Sequence, residues 1–496
     1  MSLIGIDVGT SAVKVAAYRE DGGLLASSRE PVRPRRPRPG WEELNPEEVW
    51  RATRRGLGVV AASPALSTDP PRALAVSASG DEAFPVDREG TSLGPCILSG
   101  DMRGAEIERK VADRAVASDW YSACGHVPAR MDPILRLLWW RTHRQGTLSQ
   151  ADRFIGWHEF LTLRLCGFAV IDRSLAGKWL TYDLTARDWS SDRLAGFDID
   201  PDFLSEIRPW GTQVGEVRPN LARTLGLPDR TAVGVGGYDS SCAALGSGAS
   251  GAGTVGLACG SWEVAVAPAE NRAVVDELAE TGLPLVPHPG SSPFAILAQS
   301  PNGAAVADWA AALLHMPLAA TQSGLDASGP APSPALAVPH LSGAISPWKD
   351  ARESRGALLG LTLATTSTEI LKAFLEGVAY DLALTSEVLR GAGVSVDVLR
   401  AAGGGARSKW WMQLKADLTG TPVEVSGHQE PGTWGAALLA GSAIGVYESL
   451  GRASEEMRRT AHEFRPNEQR AQLYAGRIAA YREAVETLRP MYSHVT

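Results

Sequence analysis

The sequence predicts an α/β protein of two large domains that face a shared cleft. At 496 residues the chain is too long for one ordinary core. Strand-like and helix-like patterns alternate along its whole length. An apolar strand, a small polar turn and an alternating strand open the chain at MSLIGIDVGTSAVKVAAY, and the same arrangement returns at TVGLACGSWEVAVA (254–267). Two such hairpins, one opening each half, point to duplicated domains.

In the first hairpin, Leu3, Ile4 and Ile6 run apolar into Asp7, Gly9, Thr10 and Ser11 make the turn, and Val13, Val15 and Ala17 alternate out again. A turn of this composition exposes backbone N–H groups that can ring an anion, and Asp7 faces whatever sits there. A solubilising turn with a hydrogen-bonded Asp fits the same residues. ELNPEEVW starts a helix, with Asn45 as N-cap, Pro46 at the first position and Glu48 placed to close a capping box. RALAVSASG (72–80) and TAVGVGG (231–237) read as buried strands ending on glycines. MDPILRLLWWRTHR (131–144) and EILKAFLEGVAYDL (369–382) read as helices, the second with Ile370, Leu371, Phe374, Leu375, Val378 and Leu382 on one face. Tyr474, Ile478, Tyr481, Val485 and Leu488 mark a docked C-terminal helix. GLPLVPHPGSSPF (282–294) and GPAPSPALAVP (329–339) read as loops. The domain boundary falls near GSGASGAG (246–253), dividing 1–248 from 249–496.

Two more stretches carry site chemistry. In AVGVGGYDSSCAALGSG (232–248) a buried strand ends in Gly-Gly, and Ser240 and Ser241 open a helix. Asp239 stands at that corner, where carboxylates project into clefts; capping its own helix is the alternative. In LRAAGGGARSKWWMQLKADLTGTPVEV (399–425), Gly403, Gly404 and Gly405 between strand and helix let a planar or phosphorylated ligand approach the backbone. No GxxxxGK[ST] exists, so a Walker-type site is excluded. The GxGxxG string at Gly246, Gly248 and Gly251 follows a helix-like segment, and GGGARS ends on Ser408, so the dinucleotide reading fails.

Composition bounds the partners. Apolar content of 44% and charged content of 21% are those of a globular protein, and a net charge of −8 argues against nucleic acid. The basic stretch PVRPRRPRPG (31–40) reads as an extended, solvated loop. No apolar run approaches a membrane span, and the first strand begins almost at Met1, leaving no signal peptide. Cys96, Cys124, Cys166, Cys242 and Cys259 are scattered and never in CxxC spacing, which predicts reduced core thiols, a cytoplasmic location and no zinc site. Trp139-Trp140 and Trp410-Trp411 read as core packing, with a homodimer contact as the alternative.

In combination and order, IGIDVGTSAVK, GWEELNPEEVW, RDWS, GGYDSSCAALGSG, AAGGGARSKWW and EPGTWGAALLAG resemble the FGGY carbohydrate kinases over nearly the whole chain. MDPILRLLWWRTH departs from a family signature at Arg136 and Trp140, and GALLGLTLATTSTEILKAFLE departs at Phe374. The resemblance implies two actin-like (ribonuclease H-like) domains flanking a central ATP and sugar cleft. It implies transfer of a phosphoryl group from ATP, with Mg²⁺, to a hydroxyl of a neutral sugar or polyol, a ketose such as a pentulose favoured. By that resemblance Gly9, Thr10 and Ser11 hold phosphates, Asp7 holds the metal, Gly260 and Ser261 grip from the other domain, and Gly403, Gly404 and Gly405 lie against the adenosine. Asp239 matches the base that takes the proton of the attacking hydroxyl. Lys14 is read as a solvated strand residue.

At the sugar end, SASGDEAFPVD (77–87) matches a substrate-touching loop, with Asp81 and Glu82 in place of the residues a xylulokinase or glycerol kinase would carry. LSGDMRGAE (98–106) keeps Asp101 and Arg103 as a polar pair, for which a surface ion pair is the alternative, and Ser99 stands where the family often has a tryptophan. Adjacent carboxylates suit an uncharged, hydroxyl-rich acceptor. Trp41 reads as a cleft residue or a packing anchor, and His158 as a cleft or surface residue. The alternative function is a degenerate actin-like ATP-binding switch without sugar kinase activity.

Overall fold

Two seven-stranded sheets of matching design organise the chain. The structure, a computed structural model, describes residues 1–115, 117–271, 278–279, 281–348, 353–492 and 494. In the first sheet β1 (Ser2–Val8), β2 (Ala12–Arg19) and β3 (Leu24–Pro31) form an antiparallel meander. β4 (Pro71–Ala78) joins parallel to β1. Beyond it β5 (Gln213–Glu216) pairs antiparallel with β6 (Ala232–Gly234), which runs parallel to β4, and β7 (Gly237–Tyr238) continues along the end of β4.

The second sheet repeats this plan. β8 (Gly253–Cys259) and β9 (Glu263–Ala269) form the second hairpin; β10 (Leu285–Pro287) lies on the edge of β11 (Phe294–Ser300), which is antiparallel to β9. β12 (Val396–Ala402) is parallel to β8, β13 (Val423–Ser426) is parallel to β12, and β14 (Thr460–Phe464) closes the edge antiparallel. The order and directions β3-β2-β1-β4-β6-β5 and β11-β9-β8-β12-β13-β14 correspond strand for strand. The hairpin repeat in the sequence is therefore the visible part of a repeated sheet.

Helices pack on both sheets. α1 (Pro46–Ala61) starts as expected, with Asn45 Oδ1 accepting from the Glu47 N–H at 2.9 Å; Glu48, however, turns away and accepts from the Arg33 N–H at 3.0 Å. α2 (Pro133–His143) and α3 (Trp157–Cys166) belong to the first half, and α4 (Asp239–Ser247) leaves the end of β7. The helix expected at 369–382 is the middle of the longer α5 (Ser367–Gly391), started by a capping box in which Thr366 and Glu369 exchange hydrogen bonds. α6 (Lys409–Thr419) follows the three glycines, α7 (Pro431–Ala443) follows β13, and α8 (Glu468–Tyr492) docks through Tyr474, Tyr481 and Val485. The Tyr481 hydroxyl donates to Asp381 Oδ1 on α5 at 2.8 Å.

Two segments read as loops each contain a short strand, β10 at one and Leu336–Val338 at the other. Prolines hide three-residue strands from a period-based reading, and an edge position lets Pro287 do without an N–H. Trp139, Trp140 and Trp411 are buried in the core, Trp410 is half-buried, and all five cysteines are free thiols. No helix among the described residues is long and apolar enough to cross a membrane.

α7 is placed unusually for a late element: it packs on α4 and on β1 and β4 of the first sheet. Glycines make the approach possible. A Cβ on Gly5 of β1 would overlap the Thr433 carbonyl, one on Gly435 would overlap the Cys242 carbonyl of α4, and one on Gly246 would overlap the Pro431 carbonyl. Gly435→Ala is expected to lower unfolding free energy by about 2–3 kcal/mol in a urea titration; a change under about 0.5 kcal/mol would mean that the two helices part without cost.

Candidate active site

The two sheets enclose a cavity of about 380 Å³. Its wall is formed by the β1–β2 turn (Asp7, Gly9, Thr10), the β8–β9 turn (Gly260, Ser261, Trp262), the end of β12 (Gly403), the lead into α7 (Gln429–Gly432), the loop after β4 (Ser79, Asp81, Glu82) and the start of α4 (Asp239, Ser240). Residues 7 and 432 are neighbours because Gly432 leaves room: its Cβ would stand 3.2 Å from the Asp7 carboxyl carbon.

Asp7 is the second-to-last residue of β1, and its Oδ1 accepts from the Ser77 hydroxyl of β4 at 2.8 Å. Burial pushes its pKa up against the pull of Lys14 and Ser77. Asp239 is the first residue of α4, and its Oδ1 accepts from the Ser240 N–H at 2.5 Å and the Ser240 hydroxyl at 3.0 Å. Those bonds orient one oxygen and leave Oδ2 to the cavity. Burial, then the charges of Asp7 and Asp81, push the Asp239 pKa up to about 7.

In the loop after β4, Asp81 Oδ1 lies 3.1 Å from the Lys178 ammonium, both side chains under a tenth exposed. Burial works against that ammonium, but Asp81, Tyr238 and Asp132 carry its pKa above the ordinary lysine value. The Tyr238 hydroxyl beyond it accepts from Gln299 Nε2 at 3.0 Å. Glu82 Oε1 accepts from the Ser99 N–H at 3.2 Å, and burial, followed by Asp81, raises its pKa to about 7. Its Oε2 is buried without an aligned hydrogen bond among the described residues.

The second turn is braced from behind. Glu263, paired across the hairpin with Cys259, forms an ion pair with the buried Lys415 of α6. Gly303 donates its N–H to the Ser261 carbonyl at 3.0 Å. Gly403 has φ +100°, open to glycine alone at no cost, and its Cβ would come within 2.8 Å of the Cys259 carbonyl.

Asp7, Gly9, Thr10, Asp81, Glu82, Asp239, Gly260, Ser261 and Gly403 therefore share one cavity wall. Ser11, Gly404 and Gly405 adjoin it without lining it. Ser11 is exposed on the turn, Gly404 has open space around it, and Gly405 rests on Trp411 and Cys259. Asp101 and Arg103 lie off the wall, and they are no surface pair either. Asp101 is fully buried and accepts from the Glu42 N–H at 2.6 Å; Arg103 bonds Asp101 and Glu43, each at 2.8 Å. The guanidinium sits 4.0 Å from the Trp41 ring and 4.8 Å from that of Trp139, so Trp41 is a packing anchor. His158 is fully buried, its Nδ1 against the Val170 carbonyl and its Nε2 accepting from the Gly236 N–H at 3.0 Å. Lys178 and Gln299 escaped the sequence reading because no local spacing distinguishes them, and Glu430 opens the quoted EPGTWGAALLAG without being assigned a role there.

Among the described residues no group of three or more His, Cys, Asp or Glu side chains forms a closed metal site. Asp7 still fits Mg²⁺, an ion that keeps several waters and takes phosphate oxygens with only one or two carboxylates. A divalent cation would also relieve the mutual repulsion of Asp7 and Asp239.

Comparison with known proteins gives a consistent result. Residues 2–246 match the N-terminal domain, and residues 295–444 the C-terminal domain, of the FGGY family of carbohydrate kinases. A xylulose kinase from Klebsiella pneumoniae is 29% identical over 497 residues, covering 99% of this chain and 100% of the relative. A ligand-bound xylulose kinase from Lactobacillus acidophilus has a TM-score of 0.89 at 22% identity, covering 100% of both chains. A gluconate kinase from the same organism has the same TM-score of 0.89 at 23% identity, covering 100% of this chain and 99% of its own. Equal likeness to kinases named for different sugars leaves the acceptor to the cavity's chemistry.

Arg103→Met is expected to lower stability by about 3–5 kcal/mol in chemical denaturation, because it removes the guanidinium that neutralises the buried Asp101 and leaves that carboxylate only its backbone N–H partners. A loss under about 1 kcal/mol would show the pair to be solvated.

Proposed function

Because the chain belongs to the FGGY family of carbohydrate kinases, we propose that it transfers the γ-phosphoryl group of ATP to a hydroxyl of a neutral ketose, a pentulose foremost. It is an ATP-dependent carbohydrate kinase with two actin-like domains flanking a cleft. We take those domains as 1–248 and 249–496, with α7 reaching back onto the first sheet. FGGY kinases generally use Mg-ATP.

The observation that carries the acceptor class is the set of carboxylates Asp81, Glu82 and Asp239 on one cavity wall, where Asp81 alone has a close cationic partner. Buried carboxylates repel a sugar acid and accept hydrogen bonds from hydroxyls. A nucleotide switch has no use for such a surface. Asp239 Oδ2 would take the proton of the attacking hydroxyl while Ser240 holds Oδ1 in place. Glu82 lines the same cavity wall as Asp239, and its carboxylate would favour an uncharged acceptor over a sugar acid. Asp7 would hold Mg²⁺, Gly9, Thr10, Ser11, Gly260 and Ser261 the phosphates, and Gly403, Gly404 and Gly405 the adenosine. The bound Mg-ATP supplies the phosphoryl group and neutralises its charge, so positioning is most of what the protein must add.

ADP release from Mg-ATP should be stimulated by one of a panel of neutral ketoses, aldoses and polyols, and far less by gluconate. Asp239→Asn should lower kcat roughly 10²–10⁴-fold, with ATP affinity changed by less than about threefold. Preference for gluconate would overturn the acceptor class, and a mutant of near wild-type kcat would overturn the base. A raised carboxylate pKa leaves Asp239 protonated to higher pH than usual, so kcat/KM for the acceptor should be flat above about pH 7 and fall tenfold per unit below it. Asp239→Asn should abolish that limb; a limb that stays in the mutant belongs to another group.

A further inference from the structure

Lys14 is the only cationic side chain among the described residues lining the cavity, against the carboxylates Asp7, Asp81, Glu82, Asp239 and Glu430. It projects from β2 beside the first turn, and its ammonium lies 2.6 Å from Glu430 Oε2 and 3.8 Å from Asp7 Oδ2. Glu430 occupies the N-cap position of α7, yet makes no side-chain cap hydrogen bond. A carboxylate there would ordinarily serve its own helix start. Here it reaches across to a lysine 416 residues away in sequence.

The consequence rests on the nucleotide reading given above. Phosphates gripped by the two turns need a cation, and among cavity side chains only Lys14 can supply one. Glu430 already holds that cation, and it repels any anion that comes near. With its side chain 41% exposed, against 29% for Lys14, Glu430 can turn out to water when a better partner arrives. We propose that Glu430 competes with nucleotide phosphate for Lys14 and thereby discriminates against nucleotide that carries no divalent cation. Metal-bound nucleotide brings less negative charge toward Glu430, and its phosphates take Lys14 at lower cost. Metal-free nucleotide meets the carboxylate at full charge. Glu430 is thus a specificity-determining residue at the phosphate end, and Lys14 is the group over which the two anions compete.

Calorimetric titration of the full chain with ADP, once in Mg²⁺ and once in EDTA, tests this. Glu430→Gln should tighten metal-free ADP on the order of tenfold, the effect of one partly screened charge, and Mg-ADP by less than about threefold. Glu430→Asp keeps the charge and should keep wild-type discrimination, which a merely structural role would not predict. Lys14→Met should weaken both forms. Equal tightening of both forms by Glu430→Gln, or selective weakening of Mg-ADP, overturns the proposal, the latter making Glu430 a metal ligand. Should Glu430→Gln fail to show a cooperative melt, loss of discrimination in Glu430→Asp would overturn it as well. If sugar-stimulated ADP release is intact while discrimination is unmoved by Glu430→Gln, only the role of Glu430 falls. Binding of neither form of ADP by the wild type removes the nucleotide reading together with it.

Discussion

The close seating of α7 on β1 and α4 is the constraint on which the rest of the site depends. Three segments far apart in sequence meet there, and at Gly5, Gly246 and Gly435 no side chain stands between backbones. Asp7 is the second-to-last residue of one of these elements, Asp239 begins the second, and Gly432 lies at the head of the third. The separation of Asp7 and Asp239 on the cavity wall is therefore set by backbone against backbone, the stiffest contact a fold offers. A larger side chain at Gly5, Gly246 or Gly435 would be felt at the carboxylates without touching them.

That rigidity holds together charges that repel. Asp7, Glu82 and Asp239 all have raised pKa values, with burial as the first cause in each, and Asp239 is pushed further by Asp7 and Asp81. A flexible site would let such groups drift apart or into water. Here the hydrogen bonds from Ser77, Ser99 and Ser240 pin one oxygen of each; the second oxygen of Asp239 has no such bond, that of Asp7 has the Lys14 ammonium 3.8 Å away, and that of Glu82 is buried. Under the proposed function, an uncharged hydroxyl and a metal-bound phosphate chain would relieve that repulsion from two directions.

Much of this was legible in the sequence where the chemistry is local. Both turns, Asp7 at a strand end and Asp239 at a strand-to-helix corner announce themselves by spacing, and all reach the same cavity. What depends on pairing across the fold left no trace. Lys178 is an ordinary lysine until Asp81 is found beside it, and Gln299 is silent until it meets Tyr238. Polarity misled as well as hid: Asp101 and Arg103 looked like binding or surface groups, but two tryptophans and Glu43 enclose them. His158 looked exposed for the same reason, and its partners are backbone groups that no motif encodes. The three-residue strands Leu285–Pro287 and Leu336–Val338 escaped because three residues are too few to show a period.

The buried Asp81–Lys178 pair bears on how such a cavity could acquire a new acceptor. Changing either partner alone strands a charge in a place that water scarcely reaches. The two positions are thus epistatic: a single replacement is penalised in folding before any benefit in sugar choice can register. Directed evolution by single steps would meet a valley here and search elsewhere on the wall. A library that varies residues 81 and 178 together can cross it, and simultaneous replacement by apolar groups of matched volume is the crossing that electrostatics favours.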